Sequence, residues 1–172
     1  MPLLAVTVLG ADRPGIVAEV TGHLSRLGGN LEDSTMTLLR GHFAMLLVVA
    51  TDRPIGEVEQ ALAPVAADGT LDVAVRPVPE STATGAPGAP HLLSVHGGDR
   101  PGIVSSMLGV VARVGGNVTD LTTRLSGDLY VVVAEVDLPA GTDTDALASA
   151  LRAAADELDV DVSLRAVDAD LL

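Results

Sequence analysis

The residues best placed to do chemistry in this chain come in two identical sets. Asp12-Arg13-Pro14-Gly15-Ile16-Val17 returns as Asp99-Arg100-Pro101-Gly102-Ile103-Val104, displaced by 87 positions. Each set brings together a carboxylate, a guanidinium and a glycine. If the hexapeptide opens a helix, the missing side chain at Gly15 or Gly102 lets a ligand approach the first amides, where free N–H donors and the helix dipole attract a carboxylate. The ammonium group of the same ligand could pair with Asp12 or Asp99. An amino acid carries both groups. A plainer reading is also open: Asp12 and Asp99 cap the helix, while Pro14 and Pro101 occupy its first turn, where no intrahelical N–H is lost. That reading accounts poorly for the glycines, because glycine within a first turn costs about 1 kcal/mol relative to alanine.

The same displacement carries Gly28-Gly29-Asn30 onto Gly115-Gly116-Asn117, Asp33 onto Asp120 and Phe43 onto Tyr130. Asn30 and Asn117 offer both donors and acceptors to a zwitterion, although asparagine after a helix-ending glycine is also an ordinary turn residue. His96 stands just before the second hexapeptide, where the first copy has Leu9. Its ring could hydrogen-bond a ligand in the second copy alone, or it is simply a solvated or satisfied side chain. Arg13 and Arg100 could face an acidic partner, but read rather as solvated. His23, His42 and His91 have no partners at metal-ligand spacing, so neither a metal site nor a cofactor is expected.

These residues need elements to position them. Leu3 to Leu9, and Leu92 to His96 in the second copy, read as buried strands leading into the hexapeptides. Ile16, Val20, Leu24 and Leu27 recur at helical spacing, as do Ile103, Met107, Val111 and Val114, and a Gly-Gly pair ends each helix. Asn30 to Leu39 with Phe43 to Ala50, and Asn117 to Leu125 with Tyr130 to Val136, form hairpins around Gly41 and Gly127. A second helix follows through Ile55, Val58, Leu62 and Val65, and through Leu147, Leu151 and Ala155. The last strands run from Leu71 to Val78 and from Val160 to Val167. Both copies read β-α-β-β-α-β, the split ferredoxin-like order of an α+β domain. The small, Pro- and Gly-rich stretch from Ser81 to Pro90 reads as a linker. The expected domains are therefore 1–80 and 91–172, joined by 81–90.

Composition narrows the function classes. A formal charge of −13 with no local Lys/Arg cluster repels a phosphate backbone and gives direct nucleic-acid binding little support. Only Phe43 and Tyr130 are aromatic, which leaves few stacking platforms for RNA. The chain has no cysteine, so thiolate catalysis and disulfides are impossible, consistent with a cytoplasmic protein. The N-terminal apolar run is broken by Gly10 and Asp12 and does not read as a secretion signal. No apolar stretch approaches the roughly 20 residues of a membrane span.

The DRPGIV turn, the Gly-Gly-Asn junction and the β-α-β-β-α-β order together resemble the ACT domain, a small-molecule-sensing regulatory module. Two such domains in a short chain are similar to the glycine cleavage system transcriptional repressor family. The resemblance implies two tandem ferredoxin-like ACT domains, each an antiparallel sheet with its helices on one face. It further implies a non-catalytic regulator that binds a small, glycine-like amino acid at interfaces between paired domains. The first strand-helix turn and residues near the second strand would contact it. By motif, these are Asp12, Gly15, Ile16, Asn30 and Leu31, then Asp99, Gly102, Ile103, Asn117 and Val118, with His96 added from the residue reading. Regulation would act through a protein partner, in a homodimer or larger assembly. Two alternatives remain: a ligand-free structural adaptor, and an acylphosphatase-like hydrolase using Arg13 and Asn30. The second is opposed by the short turn and by Asp12, whose charge would repel a substrate phosphate.

Overall fold

The computed structural model describes residues 1–79 and 88–167. The chain divides into two compact units, Met1–Thr82 and Ala83–Leu172. The first contains β1 (Leu3–Ala11), α1 (Ile16–Arg26), β2 (Asn30–Leu39), β3 (His42–Ala50), α2 (Ile55–Leu62), a short 3-10 turn (Ala63–Ala66) and β4 (Leu71–Pro77). The second contains β5 (Ala89–Gly98), α3 (Ile103–Arg113), β6 (Asn117–Ser126), β7 (Leu129–Leu138), α4 (Thr144–Leu158) and β8 (Val160–Ala166). Each unit is the expected β-α-β-β-α-β. Its strands form one antiparallel sheet, ordered β2-β3-β1-β4 or β6-β7-β5-β8. Residues 81–87 of the expected linker lie outside the described residues. Ala89 and Pro90, assigned to that linker by composition, instead begin β5, where they pair with Leu138 and Asp137. The proline is tolerated because it stands at the start of a strand.

Strict alternation gives each sheet one covered face. In unit 1, Leu4, Val6 and Val8 of β1 and Phe43, Met45, Leu47 and Val49 of β3 are buried against Ile16, Val20 and Leu24 of α1 and Val58 and Leu62 of α2. In unit 2, Leu93, Val95, Val132, Ala134 and Val136 meet Ile103, Met107 and Val111 of α3 and Leu147 and Leu151 of α4. Both helices therefore lie on one face of each sheet, and the other face is open. The edge strands β2 and β6 carry matching bulges, between Leu31 and Asp33 and between Val118 and Asp120. Each bulge sits one residue into the strand after the Gly-Gly-Asn junction and resets its in-out alternation.

The Gly-Gly pairs end α1 and α3 as the spacing suggested. Gly28 N–H donates to the Ser25 carbonyl at 2.9 Å and Gly29 N–H to the Leu24 carbonyl at 3.0 Å, the paired bonds of a Schellman cap. Gly28 and Gly115 take the positive φ that this cap requires, 74° and 77°. The following glycine is needed for space, since a Cβ on Gly116 would lie 2.6 Å from Val111 Cγ1. No helix among the described residues is long and apolar enough to cross a membrane.

Candidate functional site

The duplicated hexapeptide forms the turn between β1 and α1, and between β5 and α3. In both copies the glycine is the residue just before the helix, with φ 91° and ψ −3° at Gly15 and φ 94° and ψ −4° at Gly102. These are the angles of the third residue of a type II turn, for which Pro-Gly is the favoured central pair. The turn therefore corrects two expectations. The glycine is not within the helix, so its helix propensity is not at issue; it is there because an L-residue at that φ is strained. Asp12 and Asp99 do not cap either, because three residues of turn separate them from the first helical residue and neither helix start receives a side-chain cap. Their backbones instead tie the turn to the sheet: Asp12 N–H donates to the Gly41 carbonyl at 3.1 Å and Asp99 N–H to the Asp128 carbonyl at 3.3 Å.

The first backbone bonds of the helices are Glu19 N–H to the Gly15 carbonyl and Ser106 N–H to the Gly102 carbonyl, each 2.9 Å. The amides of Ile103, Val104 and Ser105, like those of Ile16, Val17 and Ala18, precede that bond and form the donor end of the helix. In unit 2 these three residues line a cleft of 470 Å³ together with Asp99, Arg100, Pro101, Gly102 and Tyr130. Asp99, Gly102 and Ile103 of the expected set thus meet there, as a carboxylate beside a row of donors. Ser105 and Tyr130 add hydroxyls that motif reasoning missed. The common offset was the available signal, because Ser105 corresponds to Ala18 and Tyr130 to Phe43.

Both arginines are partly exposed, and each pairs with a carboxylate of its own unit. Arg13 Nη2 lies 2.7 Å from Glu19 Oε2, at the first turn of α1. Arg100 reaches instead to the end of α4, donating to the Leu158 carbonyl at 2.9 Å and to Asp159 Oδ2 at 2.7 Å. In unit 1 the acidic Glu19 therefore stands beside the donor end, and in unit 2 the first turn of α3 has no acidic residue.

The remaining expected residues lie elsewhere in their own units. Asn30 pairs with Ala50, which pairs with Leu3, at the beginning of β1; the hexapeptide leaves the far end of that strand, eight residues or about 27 Å away. Asn117 and Val118 likewise sit with Asp137 and Val136, opposite Pro90 and His91 at the start of β5. Leu31 and Val118 turn toward the helix-covered side, with Val49 and Val136 as cross-strand neighbours. His96 is on the open face of sheet 2, its Nε2 3.4 Å from Asp161 Oδ2. It does not line the cleft. Among the described residues no group of three His, Asp or Glu side chains is placed to hold a metal ion.

Comparison with known proteins fits this geometry. The ACT domain model matches residues 3–76 and 90–165, one match per unit. A UPF0237 protein of Methanopyrus kandleri is 38% identical over 79 residues, 44% of this chain and 88% of that protein. The glycine cleavage system transcriptional repressor of Escherichia coli is 45% identical over 47 residues, 27% of this chain and 25% of the repressor. A crystal structure of an unknown protein from Galdieria sulphuraria is 27% identical, with a TM-score of 0.82 over 97% of this chain and 99% of the other. Two matches covering both units, on two β-α-β-β-α-β sheets, place the chain in the ACT domain family as a tandem pair.

Proposed function

We propose that the chain is a non-catalytic regulator that senses a small, glycine-like amino acid and acts through a protein partner. The observation that carries this reading is the start of α3, which has no side-chain cap and whose first residues line a cleft together with Asp99. The amides suit a ligand carboxylate and Asp99 suits its ammonium. Within one unit, Asn117 and Val118 are a strand's length from the turn, so a ligand touching both the turn and the second strand would lie between paired ACT domains. Unit 2 is the better binder, because the first turn of α1 is occupied by the Arg13–Glu19 ion pair, whereas the first turn of α3 carries no acidic residue. Phosphate chemistry is disfavoured, since Asp159 and Glu19 already engage the two turn arginines. Similarity to the E. coli repressor over a segment of each chain supports a regulatory role.

Calorimetry of the full chain against a panel of small amino acids tests this. Saturable binding of glycine or a near neighbour is expected, with Ser106→Glu weakening it about tenfold or more and Glu19→Ser leaving it unchanged or improved. No binding by any amino acid would favour the ligand-free adaptor. That reading draws on a specific observation: the positive φ of Gly15, Gly28, Gly102 and Gly115 and the close packing around Gly29 and Gly116 account for every glycine of the motifs without a ligand.

A further inference from the structure

The open face of sheet 1 is apolar at its centre and charged only on its edge strands. Direct cross-strand partners share a face, so the register reads out its rows. One row runs Asp33, Val48, Ala5, Arg76 from β2 across to β4. The next runs Thr35, Leu46, Thr7, Ala74, and the third Thr37, Ala44, Leu9, Asp72. The two central strands contribute only apolar or hydroxyl side chains to these rows. Leu9 is 53% exposed and Leu46 42% exposed, around a shallow hollow of 440 Å³. Asp33 and Arg76 make no ion pair among the described residues.

We infer that this face packs against the same face of a second copy of the chain. A two-fold axis lying between the sheets and parallel to the strands keeps each row in place and exchanges its ends. Asp33 then faces Arg76 of the copy, and Arg76 faces Asp33, closing two ion pairs with one operation. In the second row Leu46 falls on Thr7 of the copy. In the third the Asp72 carboxylate meets the Thr37 hydroxyl. Aligned sheets cross at about 30°, which shifts an edge strand 7 Å from the axis by only about 4 Å, within reach of an arginine side chain. The small side chains Ala5, Ala44 and Ala74 allow close approach. The equivalent face of sheet 2 argues for unit 1 as the contact. Two of its rows also end in opposite charges, Asp120 with Arg165 and Arg124 with Asp161, but its central strands place the carboxylates Glu135 and Asp137 on the surface. The same two-fold would set Glu135 against Leu92 of the copy and Asp137 against Pro90, desolvating two carboxylates with no opposite charge facing them.

The assembly does not depend on amino-acid binding and is tested by mass in solution. Sedimentation equilibrium of the ligand-free full chain at tens of micromolar should give at least a dimer. Leu46→Arg should halve the mass with its thermal transition kept, since the side chain is exposed. Val133→Arg, at the corresponding position of sheet 2, should leave the mass unchanged. Asp33→Arg and Arg76→Asp should each weaken association at least tenfold, and an equimolar mixture of the two should restore it, because each mixed pair regains both opposite-charge contacts. A monomeric wild type, an unchanged mass for Leu46→Arg, dissociation by Val133→Arg, or a mixture no tighter than its components would each overturn the proposal.

Discussion

The two DRPGIV turns share a backbone and differ in what surrounds it. Gly15 and Gly102 agree within a few degrees in φ and ψ, and both Gly-Gly caps adopt the same hydrogen bonding. Around them, Ala18 becomes Ser105, Glu19 becomes Ser106 and Phe43 becomes Tyr130. Phe43 is buried and completes the core of unit 1, whereas Tyr130 is half-buried and lines a cleft. The duplicated residues are those the chain path requires. The residues that decide charge and space at the turn have diverged, so one backbone carries two turns of different chemistry.

That comparison can be broken at several strengths. The aromatic pair should give the largest effect: Phe43→Ala removes a fully packed ring and should cost unit 1 about 3–5 kcal/mol, against roughly 1–2 kcal/mol for Tyr130→Ala in unit 2. Urea denaturation of the full chain would read both. Equal losses would mean that Tyr130 is a core residue and the cleft is filled. The turn glycines come next. Gly15→Ala and Gly102→Ala should each cost about 1–2 kcal/mol, and by similar amounts, because the same positive φ is imposed in both units. A clear inequality in the same denaturation experiment would show that one turn relaxes and the other does not.

A smaller contrast lies at the second helices. Asp143 accepts a hydrogen bond from Ala146 N–H at 2.9 Å and caps α4, while α2 starts after Pro54 with no side-chain cap. Asp143→Ala should lower the stability of unit 2 by about 1 kcal/mol, seen as early loss of amide protection along α4. Protection unaffected by the change would make the cap incidental. Smallest are the arginine pairs, both partly exposed. Glu19→Gln and Asp159→Asn should each change stability by less than about 1 kcal/mol, with the difference vanishing in high salt. Asparagine is the suitable replacement at Asp159 because that residue has a φ of 53°.

Much of the architecture was legible because it rests on short-range rules. Ile16, Val20 and Leu24 mark a helix face by spacing alone, and all three are buried. The start of β2 at Asn30 and of β8 at Val160 agree with the readings from pattern. Ala89 and Pro90 were misread since composition favours a loop there, while pairing with β7 makes a strand. At the turn, the residue types suggested an aspartate cap and a glycine inside the helix. The register of the helix start, a matter of one turn's backbone angles, moved the helix three residues away from Asp12. The exposure of Tyr130 and the aim of Arg100 toward Asp159 depend on how distant segments meet, and no local pattern carries that.

By itself the sequence determined that this is one fold written twice, since an offset of 87 preserved from Asp12 to Tyr130 demands the same chain path in each half. It also named the residues of the turn. Tertiary structure decided which of them meet. The strands set Asn30 and Asp12 at opposite ends of one sheet, and cross-strand register put Asp33 and Arg76, 43 positions apart, in a single row. Both outcomes follow from the same cause: strand pairing fixes distance along the sheet by hydrogen-bond register, and register is a property of two segments together.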